Sequence, residues 1–65
     1  MMNATKSDPT FTVVLRDARG RKHTYEVPAA NPDLATVEAM QKLWETAGVE
    51  PENQQVVSVR KGRLQ

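Results

Sequence analysis

The four residues Asp17, Ala18, Arg19 and Gly20 lie between two runs in which apolar and polar residues alternate, 10–16 and 22–27. The length of the loop formed there decides what the rest of the chain can bury. Side chains on a strand alternate with a period of two, so a slip of one residue moves a whole apolar set to the opposite face. A four-residue loop sets Arg16 against Arg21 and Val13 against Thr24, and divides the apolar residues between two faces. A three-residue loop, Ala18-Arg19-Gly20, pairs Asp17 with Arg21, Leu15 with His23, Val13 with Tyr25 and Phe11 with Val27. Every large apolar residue then shares one face. Gly20 falls where a type I turn with a following bulge requires left-handed backbone, and Asp17 suits the position that opens the turn.

Pro28 closes the second run, and Asn31-Pro32-Asp33 then spells a helix start. Asn31 is a good cap, Pro32 fits the first helical position, and Asp33 sets negative charge against the positive end of the helix dipole. From 32 to 47 the residues Leu34, Val37, Met40, Leu43, Trp44 and Ala47 recur at intervals of three and four. That spacing predicts a helix with a broad apolar stripe centred near Trp44. Gly48 stops it and Pro51 prevents its resumption. After a polar loop over 50–54, residues 55–61 read as a third strand, with Val57 and Val59 toward the helix and Val56, Ser58 and Arg60 away from it.

The expected fold is therefore α+β, in the order ββαβ: a three-stranded, mainly antiparallel sheet with the helix on one face. Residues 10–62 form one domain, 1–9 a disordered tail and 63–65 a short C-terminal tail. The third strand can lie beside the first, in order 2-1-3, or beside the second, in order 1-2-3. The first is favoured because it puts the more apolar strand in the middle. The core expected from this arrangement is Phe11, Val13, Leu15, Tyr25, Val27, Leu34, Val37, Met40, Trp44, Val57 and Val59.

Size and charge narrow the function. A domain of this length buries only about 60% of its unfolded surface, so a partner would help it, and a homodimer is expected. There is no cysteine, hence no disulfide or thiolate metal site. No apolar run approaches the roughly 20 residues of a membrane span, so a cytoplasmic location away from membranes is expected. A formal net charge of +1 is too near neutral to mark a strong nucleic-acid binder.

Chemistry-bearing patterns are sparse. His23 is the only histidine and is expected to pack beside Leu15. The carboxylates Asp17, Glu26, Asp33, Glu38, Glu45, Glu50 and Glu52 are dispersed, with no spaced pair for acid–base work. The three glycines are explained by turns or tail, not by a phosphate loop. No catalytic residue, cofactor, metal or small-molecule substrate is expected, and Trp44 and Tyr25 are expected to pack in the core rather than to stack on a ligand.

The cations are more suggestive. Arg16, Arg19, Arg21 and Lys22 surround the turn, while Arg60, Lys61 and Arg63 close the chain. Arginine forks meet acidic protein patches or phosphates equally well. In the expected topology the two groups lie at opposite poles, which favours protein contact over a continuous nucleic-acid stripe. The sheet face away from the helix, with Thr12 and Thr24 among its residues, is expected to be open, and its edge strands carry no internal proline. The expected function is a non-enzymatic protein-binding module that docks through this face, an edge strand and the tip, using Arg16, Arg19, Arg21, Lys22, Thr12, Thr24, Arg60 and Lys61. A nucleic-acid-binding accessory role for the same cations is the alternative.

The layout of residues 11–15 (Phe-Thr-Val-Val-Leu), 24–27 (Thr-Tyr-Glu-Val), a capped helix and 56–62 (Val-Val-Ser-Val-Arg-Lys-Gly) resembles, in size and element order, small ββαβ proteins of phages and other mobile elements. These include certain anti-CRISPR inhibitors. The resemblance implies a stoichiometric inhibitor or adaptor that acts through surface contacts without a cofactor.

Overall fold

A computed structural model describes residues 8–62. Strands β1 (Thr10–Arg16) and β2 (Lys22–Pro28) form the hairpin, followed by helix α1 (Pro32–Ala47), a single 3-10 turn at Pro51–Asn53, and strand β3 (Gln55–Lys61). The sheet order is β2-β1-β3, antiparallel throughout, with the most apolar strand in the centre.

The hairpin has the three-residue loop. Phe11 pairs with Val27, Val13 with Tyr25 and Leu15 with His23. Asp17 N donates to Arg21 O at 2.9 Å and Gly20 N donates to Asp17 O at 2.9 Å, with Gly20 at φ 88°. The Asp17 carboxylate reinforces the loop, because its Oδ1 accepts from Arg19 N at 2.9 Å and from Arg21 N at 3.0 Å.

Both ends of α1 are built as the residue types require. Asn31 has extended backbone, and its side-chain oxygen accepts from Leu34 N at 2.9 Å. Such a cap contributes about 1 kcal/mol. At the other end Gly48 adopts φ 71° and donates its N–H to Trp44 O at 2.8 Å.

The core consists of Phe11, Val13, Leu15, Val27, Ala29, Ala35, Ala39 and Leu43, with Tyr25, Met40, Val49 and Val59 packed at its margin. This corrects the expected helix face. Ala35, Ala39 and Leu43, at successive intervals of four, carry the contact with the sheet, whereas Leu34, Val37 and Trp44 remain largely exposed. Two alanines at the closest approach let the helix axis lie near the sheet, and a bulky residue there would hold it off. Of the stripe expected from the sequence only Leu43 belongs to the fully buried face: residues 35, 39 and 43 face inward while residues 34, 37 and 44 lie nearly opposite.

The strand β3 also departs from simple alternation. Val14 pairs with Ser58 but Leu15 with Val56, so Val57 is an extra, bulged residue. The bulge puts Val56 opposite Leu15, the reverse of the expected parity, and Val56 and Val57 are both exposed. Val59, opposite Val13, keeps its place on the helix side.

Beyond β3 the chain is pinned across the sheet. Gly62 N donates to Thr10 O and the Thr12 hydroxyl donates to Gly62 O, each at 2.7 Å. At the start, Pro9 O accepts from Ala29 N at 3.0 Å, so the sheet's hydrogen bonding already involves the end of the expected tail. Residues 1–7 of that tail, and Arg63 with the C-terminal tail, lie outside the described residues.

Candidate functional site

Three surfaces compete for a functional role, and each follows from where the hairpin and helix place their side chains. The first is the hairpin tip. Arg19, Arg21 and Lys22 project as exposed residues, while Arg16 is half-buried at the base of the turn between Lys22 and Gln55. Arg19 and Arg21 hold no ion pair among the described residues. They border a shallow recess that also contains Asp17, His23 and Glu50, so its charge is mixed and it offers no purely cationic cradle.

Under the tip, His23 Nε2 lies 2.9 Å from Asp17 Oδ2. The Asp17 carboxyl is held below the ordinary carboxylate value, first by this hydrogen bond and then by the backbone donors of Arg21 and Arg19, with desolvation opposing them. Every acceptor of Asp17 is thus engaged in supporting the turn. His23 buttresses the hairpin beside Leu15, in keeping with a structural role. No group of three or more His, Cys, Asp or Glu able to hold a metal occurs among the described residues.

The second surface is the sheet face away from the helix. Thr24 is exposed there, and Arg60 is exposed opposite Thr12. Thr12 itself is 5% exposed and its hydroxyl is engaged by Gly62 O, so it is not available for contact. Glu26 and Arg60, on the two strands flanking Thr12, are the residues this face presents at that level. Lys61 pairs with Phe11, which places it on the helix side of the sheet rather than beside Arg60. The tip and the Arg60–Lys61 pair sit at opposite ends of β1, about 20 Å apart at the usual rise per residue. They do not merge into one basic stripe.

The third surface was not anticipated. Val37 and Trp44 stand on the outer side of α1, 60% and 52% exposed, and with Met40, Gln41, Glu45 and Pro51 they line an open apolar groove. Pro51 reaches the groove because the loop after Gly48 folds back along the helix. Gln54 fixes that return by donating through Nε2 to Met40 O at 3.0 Å and to Val49 O at 2.8 Å. The signal for this groove was in the sequence. Leu34, Val37, Gln41 and Trp44 follow the 3-4-3 spacing of one helical seam, and Ala35, Ala39 and Leu43 follow an independent one.

Comparison with protein families, with curated proteins and with solved structures returned no match to this chain. The residues therefore carry the functional argument alone. Charge is divided between the two layers. Residues 32–54, the helix and the loop after it, carry Asp33, Glu38, Glu45, Glu50 and Glu52 against the single cation Lys42. The hairpin and β3 carry Arg16, Arg19, Arg21, Lys22, Arg60 and Lys61 against Asp17 and Glu26. The molecule is thus acidic and partly apolar on its helix side and basic on its sheet side. No helix among the described residues is long and apolar enough to cross a membrane.

Proposed function

We propose that this chain is a small non-enzymatic protein-binding module, an adaptor or stoichiometric inhibitor, that docks on a partner protein through the outer face of α1. One observation carries the reading. A domain with so little apolar material buries Ala35 and Ala39 against its sheet and leaves its only tryptophan half exposed beside Val37. Isolated apolar residues on a surface are ordinary, but a contiguous patch built around tryptophan is the composition of interface hot spots. The basic tip forms a second contact in this reading, with Arg19 and Arg21 as its principal residues, Arg16 and Lys22 beside them, and Thr24, Arg60 and Lys61 peripheral. A homodimer belongs to the same reading through the outer edges of β2 and β3, which end the sheet.

Affinity capture from the native host tests the proposal, with wild-type protein compared against Trp44→Ala and against the double variant Arg19→Glu, Arg21→Glu. A specific co-purifying protein that is lost with Trp44→Ala, while circular dichroism stays native, is the expected result. An unchanged set of captured proteins would remove the helix face from the account. Loss only with the arginine variants, together with oligonucleotide affinity that falls steeply as salt rises, would favour the nucleic-acid alternative.

A further inference from the structure

We infer that the groove on α1 receives an amphipathic helical segment of a partner protein whose apolar anchors are flanked by lysine or arginine. This rests on the docking reading above and adds the chemistry of the partner. The outward residues Leu34, Val37, Gln41 and Trp44 occupy alternating core positions of two consecutive heptads, the pattern by which one helix lies along another. All four are exposed. Along one margin of that seam stand Glu38 and Glu45, seven residues apart and therefore in the same flanking position of both heptads. Both are exposed, and Glu45 is oriented by Gln41, whose Nε2 donates to its Oε2 at 3.0 Å. Along the other margin lie Met40 and Pro51, which wall the groove with apolar atoms.

Two features of the seam select the occupant. Val37 and Trp44 are about 10 Å apart along the helix axis, so residues seven apart on a partner helix match them, the spacing of helix-in-groove recognition. The acidic margin then requires a cation on the partner at each turn that passes Glu38 and Glu45. The remainder of residues 32–54, with Asp33, Glu50 and Glu52, adds to the negative field. A second copy of α1 fits poorly. Packed antiparallel along this seam, it would bring Glu38 and Glu45 against the same pair of carboxylates, a like-charge juxtaposition that disfavours association.

The test uses the full chain and two synthetic 15-residue helical peptides without aromatic residues. Each carries leucine at heptad core positions, one with lysine and the other with glutamate at the flanking positions. Trp44, the only tryptophan, reports binding by its fluorescence. The lysine peptide is expected to shift Trp44 emission saturably and to bind at least tenfold more tightly than the glutamate peptide. The double variant Glu38→Lys, Glu45→Lys is expected to reverse that preference. Equal binding of the two peptides, binding of neither, or indifference to the Glu38 and Glu45 reversal in a protein with native circular dichroism would overturn the inference. So would sedimentation showing a dimer that Trp44→Ala dissolves, since the occupant would then be a second copy. If the peptides fail but capture from the host still depends on Trp44, the docking reading survives and only its chemistry is wrong. If capture is also indifferent to Trp44, both fall.

Discussion

Ala39 and Trp44 sit on opposite sides of one helix. The alanine is wholly buried against the sheet, and the tryptophan, about 140° further round, is half exposed. The smaller residue makes the core contact because the sheet and helix approach closely there, and the larger one is left to line the outer groove.

That arrangement makes the helix unusually asymmetric toward substitution. Ala39→Leu is expected to destabilise the fold by about 1–3 kcal/mol through overpacking. This is a large share of the roughly 3–8 kcal/mol available to a domain of this size. Val37→Ala, by contrast, should fall within about 0.5 kcal/mol of wild type, since the site is exposed and alanine is the better helix former. Urea denaturation followed by circular dichroism measures both. A Val37→Ala cost of about 2 kcal/mol, the usual range for emptying a core site, would contradict the orientation of α1.

The hairpin tip should respond to acid through Asp17. Because its folded-state value is depressed below 3.8, the pair with His23 and the two backbone bonds contribute stability that is fully present above the unfolded value. That contribution is lost as pH falls through the lower, folded value. The difference in thermal midpoint between wild type and Asp17→Ala is therefore expected to shrink as pH falls below about 4. NMR titration of the Asp17 carboxyl carbon gives the direct check, and a midpoint at or above 3.8 would contradict the geometry of the turn.

Gly20 tests the register itself. Its φ of 88° lies where side chains are rarely accommodated, yet a Cβ added there would meet no atom within 4 Å. Gly20→Ala should therefore cost about 1–2 kcal/mol through backbone conformation alone, and Gly20→Asn less, since asparagine tolerates the left-handed region better. A tolerated alanine would point to a different loop length.

Much of the fold was legible because it is written locally. The three-residue loop, the Asn31 cap, the Gly48 stop and the sheet order each follow from a few residues whose backbone or parity admits few solutions. The helix face was misread because leucine, valine and tryptophan outweigh alanine in any count of apolar residues. Which of two seams turns inward depends on how closely helix and sheet approach, a property of the assembled layers. The Val57 bulge escaped for a similar reason, since nothing in Gln55-Val56-Val57-Ser58 distinguishes an extra residue from a paired one. Thr12 was read as open surface from parity alone, but it lies on the central strand, is buried, and donates its hydroxyl to Gly62 O, a partner 50 residues away. The basic tip, carried by adjacent residues on a turn, was visible, while the groove was hidden behind the misread helix.

The most direct measurement is acrylamide quenching of Trp44 fluorescence in the folded protein, at a concentration where sedimentation shows a monomer. With the indole on the outer face of α1, quenching should be substantial and emission should lie toward the red, approaching the behaviour of the urea-unfolded chain. Blue-shifted emission with strong protection from the quencher in that monomer would place Trp44 in the core and contradict both the helix orientation and the groove built on it.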